Sequence, residues 1–97
     1  MATYIALLKW TESGIKNVRE SPKRLEDARQ AFEAAGGRIS QFYMVFGAYD
    51  AVGIIEAPDD KTYARIMLQV AGRGAITSTT LKALTENEYR EVIGSLP

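Results

Sequence analysis

The segment from Phe46 to Pro58, FGAYDAVGIIEAP, constrains the fold more than any other part of the chain. It joins a tight-turn sequence, Gly47-Ala48, to a strand that is apolar on both faces and ends at Pro58. Glycine at the first central position suits a two-residue type II′ hairpin turn. A strand with two apolar faces is typical of the centre of a covered sheet. The segment therefore predicts a hairpin whose second strand, Tyr49 to about Ala57, lies centrally in a layered fold.

Three further strands are predicted from the pattern of apolar residues. Thr3–Trp10 alternates, with mostly apolar residues on both faces. The segment from about Arg38 to Phe46 has a bulky core on both sides and pairs with the third strand through the hairpin. The segment from about Ala75 to Leu84 is more polar, and its run of threonines suits a sheet edge. Between the first strand and the first helix, a loop is expected from Ser13 to Arg19.

Start and stop signals predict three helices. Ser21 fits an N-cap with Pro22 at the first helical position, and Gly36-Gly37 supplies a left-handed stop. Thr85 and Glu88 have the spacing of a capping box. The predicted helices run from Ser21 to about Ala35, from Asp59 or Asp60 to about Ala71, and from Thr85 to about Ser95.

The order of these elements, β-α-β-β-α-β plus a terminal helix, predicts one ferredoxin-like α+β domain over residues 1–97. Two helices can cover only one face of a four-stranded sheet. Three of the strands are nevertheless apolar on both faces, and soluble monomers rarely expose large apolar patches. The uncovered face must meet either another copy or the terminal helix. We expect self-association, with two sheets pairing face to face into a dimeric α+β barrel.

Composition excludes several classes of function. The chain has 12 basic and 12 acidic residues, so no field of one sign attracts nucleic acid or anionic lipid. It has no Cys and no His, which removes thiolates, imidazoles and the usual ligands of zinc, iron and haem. We therefore expect no cofactor and no transition metal. The N-terminus has no signal-peptide pattern and no apolar run long enough to span a membrane, so a cytoplasmic location is expected.

Asp50 is the first candidate for chemistry. It lies at the start of a central strand, where a carboxylate is costly unless it is paired or hydrogen-bonded. In a functional role it would anchor a ligand or act as a general base. In a structural role its oxygens would accept amides of the Gly47-Ala48 hairpin or of a neighbouring loop. The structural role is the more common one for Asx side chains near turns.

Four aromatic residues are the other candidates for a ligand-binding site: Tyr49, Tyr43, Trp10 and Tyr4. Aromatic rings with one polar end can line a pocket, although they are also common in strands and oligomer cores. The third strand adds small residues on one face, namely Ala51, Gly53 and Ala57. These leave a void for a ligand, or they allow a helix or a second sheet to approach closely.

Two weaker signals have structural explanations. Gly72-Arg73-Gly74 superficially resembles a phosphate loop, but it follows a helix and fits a helix end better. Glu56, Asp59 and Asp60 carry oxygens that could bind a hard cation. The two aspartates are equally well explained by the helix N-terminus that they precede.

The chain resembles the GYD-domain family over about ninety residues. The resemblance lies in the opening YIALLKWTESGIKNVRESPKR, the Gly36-Gly37 stop, the Gly47-Ala48-Tyr49-Asp50 motif and the run from Ala75 to Thr80. It implies a ferredoxin-like α+β domain that associates. It implies no catalytic residue, substrate or cofactor.

Function stays open between classes at this point. One interpretation is a small-molecule-binding oligomer, a dimer or a multiple of dimers, with its cavity at the sheet–sheet interface. A variant of it is a cofactor-free monooxygenase like those built on similar dimeric barrels, which rests on fold analogy alone. The alternative is a structural or regulatory oligomerisation module without a ligand. A cavity that carries Asp50 and a tyrosine would favour the first interpretation.

Overall fold

The computed structural model describes all 97 residues and shows a four-stranded antiparallel sheet with four α-helices. The strand order is β2-β3-β1-β4, which is the ferredoxin-like order predicted from the sequence. A short 3₁₀ helix, Val18–Glu20, precedes α2. The elements are β1 Ala2–Trp10, α1 Glu12–Lys16, α2 Ser21–Ala34, β2 Arg38–Met44, β3 Ala51–Ala57, α3 Asp60–Ala71, β4 Ile76–Ala83 and α4 Glu86–Gly94.

The loop predicted between Ser13 and Arg19 is wrong, because this segment forms α1 and the 3₁₀ helix. Thr11 caps α1 by accepting the Gly14 amide at 3.0 Å. The 3₁₀ helix runs directly into α2, so Ser21 is the first residue of α2 rather than its N-cap. The amide of Ser21 already donates to the carbonyl of Val18 and needs no side-chain partner.

The hairpin between β2 and β3 is longer than the predicted two-residue turn. Strand β2 ends at Met44, which pairs with Ala51, and the Val45 amide donates to the Asp50 carbonyl at 3.0 Å. Gly47 has a φ of 108°, so it fills a left-handed position as expected, but inside a longer loop. The predicted two-residue turn is wrong because the bond between Val45 and Asp50 is the last one of the hairpin and leaves residues 46–49 in the loop.

Strand β2 also contains a bulge. Its register with β3 shifts between Ile39, which pairs with Ile55, and Gln41, which pairs with Ile54. The extra residue, Ser40, donates its hydroxyl to the Ile54 carbonyl at 3.1 Å. Beyond the bulge, the residues of β2 again alternate between the two faces of the sheet in step with their partners in β3.

The two long helices, α2 and α3, cover one face of the sheet, which we call the covered face. Its core contains Tyr4 and Ala6 from β1, Ile55 and Ala57 from β3, and Phe32, Tyr63, Ile66 and Met67 from the helices. All of these side chains are buried. Helix α2 ends as predicted, with Gly36 at φ 88° and the Gly37 amide donating to the Phe32 carbonyl.

The other side of the sheet, which we call the open face, has no helix across it. Its central residues are Ile5 and Leu7 of β1, Val52 and Ile54 of β3, Leu81 of β4 and Tyr43 of β2. Leu81 and Tyr43 are 48% and 56% exposed, and the other four are half-buried. The Arg38–Glu56 ion pair, 2.6 Å, marks the polar end of this face.

Helix α4 begins with the predicted capping box of Thr85 and Glu88. None of its residues is buried, and it leaves Tyr89, Val92 and Ile93 half exposed. Helix α4 has no substantial contact with any strand. It therefore does not supply the missing cover of the open face. No helix in the chain has the length and apolar character needed to cross a membrane.

Candidate functional site

A cavity of about 90 Å³ lies between the covered face of the sheet and the helices α2 and α3. Fourteen of its nineteen lining residues are apolar, so its interior is hydrophobic. The sheet contributes Ala6, Leu8, Trp10, Phe42, Ala51, Gly53 and Ile55, among others, and the helices contribute Leu25, Ala28, Phe32, Met67 and Val70.

Three charged side chains line the same cavity. Arg24 belongs to the first turn of α2, Arg73 follows the end of α3, and Asp50 precedes β3. Arg24 and Arg73 form long ion pairs with Glu20 and Asp27, at 3.8 and 3.9 Å, and neither arginine lies within ion-pair distance of Asp50. Arg24 instead donates to the carbonyls of Asn17 and Gly14, at 3.1 and 3.5 Å. The ends of several elements thus bring both signs of charge to one apolar cavity without neutralising them against each other.

The Asp50 carboxylate is held by the main chain of β1. Its Oδ2 accepts the Trp10 amide at 3.0 Å, while the Asp50 amide donates to the Leu8 carbonyl. The carboxylate thus accepts a β1 amide that, within a sheet, the carbonyl of a neighbouring strand would accept. Oδ1 makes no hydrogen bond to the protein. Asp50 therefore braces a neighbouring strand and still has one oxygen available to the cavity.

The small residues of β3 divide between the two expected uses. Ala51 and Gly53 line the cavity. A Cβ added at Gly53 would touch only Ile55 and Phe42, at 3.9–4.0 Å, so there is unfilled space beside this residue. Ala57 is fully buried, and a Cβ added at the neighbouring Gly37 would overlap the main chain of β3. Ala51 and Gly53 therefore border open space, whereas Ala57 is closely packed, and a ligand in the open space stays a prediction.

A second polar group lies on the covered face, outside the cavity. Tyr4 stacks on Tyr63 with ring centroids 4.0 Å apart, and its hydroxyl donates to Asp60 Oδ1 at 2.5 Å. Burial, with the neighbouring carboxylate of Asp60 second, raises the pKa of Tyr4 to about 12. The hydrogen bonds from Lys82, 2.7 Å, and from Tyr4 lower the pKa of Asp60. This group ties β1, α3 and β4 together.

The five residues predicted as a ligand site do not converge on one place. Asp50 and Trp10 share the cavity. Tyr4 lies in the Tyr63–Asp60 group, Tyr43 lies on the open face, and Tyr49 is half-buried in the loop before Asp50. A ligand-binding role for this set stays a prediction.

The sequence interpretation missed the two arginines of the cavity. Arg24 carried a usable signal, because it lies four residues before Ala28 and therefore on the inward side of α2. Arg73 carried none, since its loop position is set by the way α3 packs. No group of three or more acidic side chains is arranged to hold a metal ion. Asp59 caps α3 by accepting the Thr62 amide at 2.8 Å, as expected if it serves the helix N-terminus rather than a cation.

Comparison with known proteins agrees with this architecture. The family model of the GYD domain matches residues 4–93. The "Glutamine synthetase and cystathionine beta-lyase binding protein" of Thermus thermophilus is 38% identical over 85 residues, which are 87% of this chain and 90% of that protein. The crystal structure of TTHA0845, also from Thermus thermophilus, superposes with a TM-score of 0.56 at 18% identity. The superposition covers 88% of this chain and 95% of the other, and it shows a shared fold.

Proposed function

This chain belongs to the GYD-domain family, and we propose that it is a protein-binding module that assembles by pairing the open faces of two sheets. The observation that carries the proposal is the open face itself, with six adjoining apolar or aromatic residues and no helix over them. Apolar patches of several hundred Å² are uncommon on soluble monomers and mark interaction surfaces. A second copy is the occupant with matching chemistry, because the patch is apolar and the chain is neutral.

The size of the open face suits a dimer interface. Four strands about 4.8 Å apart and about seven residues long give a flat footprint on the order of 450 Å². Because the side chains project from the sheet, the solvent-accessible area is larger than this footprint. The exposed stripe of α4 adds Tyr89, Val92, Ile93 and Leu96. Together these surfaces approach the roughly 800 Å² per partner of a specific interface. Pairing of this kind would form the dimeric α+β barrel.

A protein partner is supported by the Thermus relative. That protein is named for binding glutamine synthetase and cystathionine beta-lyase, and the similarity spans most of both chains. We extend this to a class of partner for the present chain, namely a metabolic enzyme. The surface outside the open face carries mixed charges, so recognition of the enzyme would depend on contact shape rather than on a long-range field.

Self-association is tested with two leucine-to-lysine variants. Leu81 lies on the open face, whereas Leu68 is 74% exposed on α3. We expect wild type to sediment as a dimer or a multiple of dimers at micromolar concentration. Leu81→Lys should weaken association at least about tenfold, because a charge is buried in an apolar interface. Leu68→Lys should sediment like wild type. A monomeric wild type, or equal effects of both substitutions, contradicts the proposal.

The enzyme partner is tested separately. Purified glutamine synthetase and cystathionine beta-lyase are immobilised in turn and exposed to wild type and to both lysine variants. Binding of wild type to either enzyme supports the partner class. If Leu81→Lys binds as well as wild type, the enzyme contacts a surface other than the open face. Absence of binding to both enzymes contradicts the proposed partner class.

A small-molecule role is the second candidate, favoured by the cavity beside Asp50 and Trp10. A cavity at the sheet–sheet interface stays a prediction, since it would form only on pairing. The cofactor-free monooxygenase interpretation also stays a prediction. Asp50 is the one carboxylate that lines the cavity, and one of its oxygens already accepts the Trp10 amide.

A further inference from the structure

We propose that the cavity between the covered face and helices α2 and α3 binds an α-amino acid with a small apolar side chain. The site is distinct from the open face and does not depend on self-association. Its apolar walls would enclose the ligand side chain, and its three charged residues would bind the zwitterionic head group. No single-charge ligand matches both the arginines and Asp50.

The size of the cavity limits the side chain of the ligand. An engineered cavity of about 150 Å³ in another protein accommodates benzene. At about 90 Å³, this cavity has room for about four carbon-sized atoms, as in an isobutyl group or a short thioether. The head group must therefore lie at the cavity mouth, where Arg24 and Asp50 are half-buried and Arg73 is exposed. The walls of Leu8, Phe32, Met67 and Val70 provide apolar contacts for such a group. Large aromatic side chains are excluded unless the walls move.

The ligand carboxylate is assigned to the arginine side of the cavity. Arg73 makes no side-chain hydrogen bond, and its ion pair with Asp27 is long at 3.9 Å, so its N–H donors can bind a ligand carboxylate. Arg24 is held by two backbone carbonyls and by a 3.8 Å ion pair with Glu20, and it keeps further N–H donors, since a guanidinium has five.

The ligand ammonium is assigned to Asp50. Its Oδ1 has no protein partner, and the Trp10 amide fixes the carboxylate through Oδ2. An ammonium in the cavity would complete the hydrogen bonding of this carboxylate, and charge-assisted bonds of this kind are stronger than neutral ones. The structural role of Asp50 and its ligand role are thus compatible, because each uses a different oxygen.

Calorimetric titration with three matched probes tests the assignment: leucine, 4-methylpentanoate, which lacks the ammonium, and isopentylamine, which lacks the carboxylate. Leucine should bind in the micromolar to millimolar range, and each analogue at least about tenfold more weakly. Arg73→Gln should weaken leucine and 4-methylpentanoate but not isopentylamine. Asp50→Asn should weaken leucine and isopentylamine but not 4-methylpentanoate. Lys61→Gln, at an exposed helix position outside the cavity, is the charge-matched control for Arg73→Gln.

Gly53→Val tests the location. Its methyl groups should fill the cavity and abolish leucine binding while thermal melting shows a folded protein. The proposal is overturned if leucine fails to bind wild type at millimolar concentration, or if Gly53→Val binds it equally well. It is also overturned if leucine and 4-methylpentanoate bind with equal affinity. Repeating the titration with Leu81→Lys separates this site from assembly, because that variant should still bind leucine even if it is monomeric.

Discussion

The two faces of the sheet are built from the same strands and the same kinds of residue, yet they differ in what covers them. Ile54 and Ile55 are neighbours in β3 and show the contrast best. Ile55 is 4% exposed beneath α2 and α3, whereas Ile54 is half-buried on the open face. The chain therefore supplies its own cover for one face only. The apolar character of a strand face shows that the face needs burial, but not whether the same chain provides it.

The first prediction concerns the covered face. Ile55→Ala should cost about 2–5 kcal/mol of unfolding free energy, because it removes a buried side chain from the core and leaves a void. Chemical denaturation should give this loss at every protein concentration. A loss below about 1 kcal/mol would mean that the covered face is packed more loosely than its burial indicates.

The second prediction uses the buried phenol of Tyr4. Its pKa is about 12 in the folded protein and 10.0 in its ordinary state, so folding favours the neutral form. The resulting stability is fully present below pH 10 and is lost as the pH rises from 10 to 12. Tyr4→Phe should remove most of this alkaline loss in thermal melts. The remainder would come from Tyr63, whose pKa is also raised by burial.

The control for this pH dependence is Tyr43→Phe on the open face. This ring is more than half exposed and bonds only to Gln41, so the alkaline loss should persist in the variant. If Tyr4→Phe melts with the same pH dependence as wild type, the hydrogen-bonded group of Tyr4 and Asp60 does not cause the loss of stability at alkaline pH.

The third prediction concerns the open face. Ile54→Ala should cost on the order of 1 kcal/mol in the dissociated chain, since the side chain is only half-buried. At higher protein concentration the loss should grow, because pairing adds burial to this residue and makes stability depend on concentration. Thermal melts at two concentrations about a hundredfold apart measure the difference. If the loss of stability is the same at both concentrations, Ile54 is not buried by pairing, and the proposed difference from Ile55 is wrong.

The smallest predicted effect is at Gly53, on the covered face beside the cavity. Gly53→Ala should stabilise the protein by about 0.4–1 kcal/mol, because the added Cβ finds ordinary contacts and the unfolded chain loses freedom. Gly14→Ala is the control. A Cβ there would overlap the Ala75 carbonyl oxygen, so this variant should be destabilised. Destabilisation by Gly53→Ala would show that the cavity is narrower than its lining indicates.

The sequence predicted most of the fold because its signals act locally. The capping box of Thr85 and Glu88 and the glycine stop after α2 concern residues within one turn of each other, and both are confirmed. The predicted two-residue turn at Gly47 is too short, because the loop is closed by the bond between Val45 and Asp50. The bonds of Asp50 to Leu8 and Trp10 of β1 are long-range and leave no local trace in the sequence.

The candidate site was only partly predictable for the same reason. Asp50 was identified because a carboxylate at a central strand is unusual in itself. Arg24 and Arg73 were missed, because an arginine near a helix end is ordinary until packing brings two such ends to one cavity. Tyr43 and Asp50 belong to one predicted ligand-binding set, although the β2 register places Tyr43 on the open face and Asp50 lines the cavity. The chemical type of a residue does not show which face of the sheet it lies on, because a bulge in the same strand changes the alternation of side chains.

That bulge also limits how copies of the sheet can join. Strand β2 is an outer strand, and Ser40 interrupts its pairing pattern in the middle. A neighbouring chain that tried to add a strand there would meet a kinked, discontinuous row of donors and acceptors. The other outer strand, β4, presents a run of threonines instead of a long apolar edge. Lateral growth into a continuous ribbon or fibre is therefore disfavoured on both sides, whereas the face-to-face pairing that we propose would end in a closed, finite assembly.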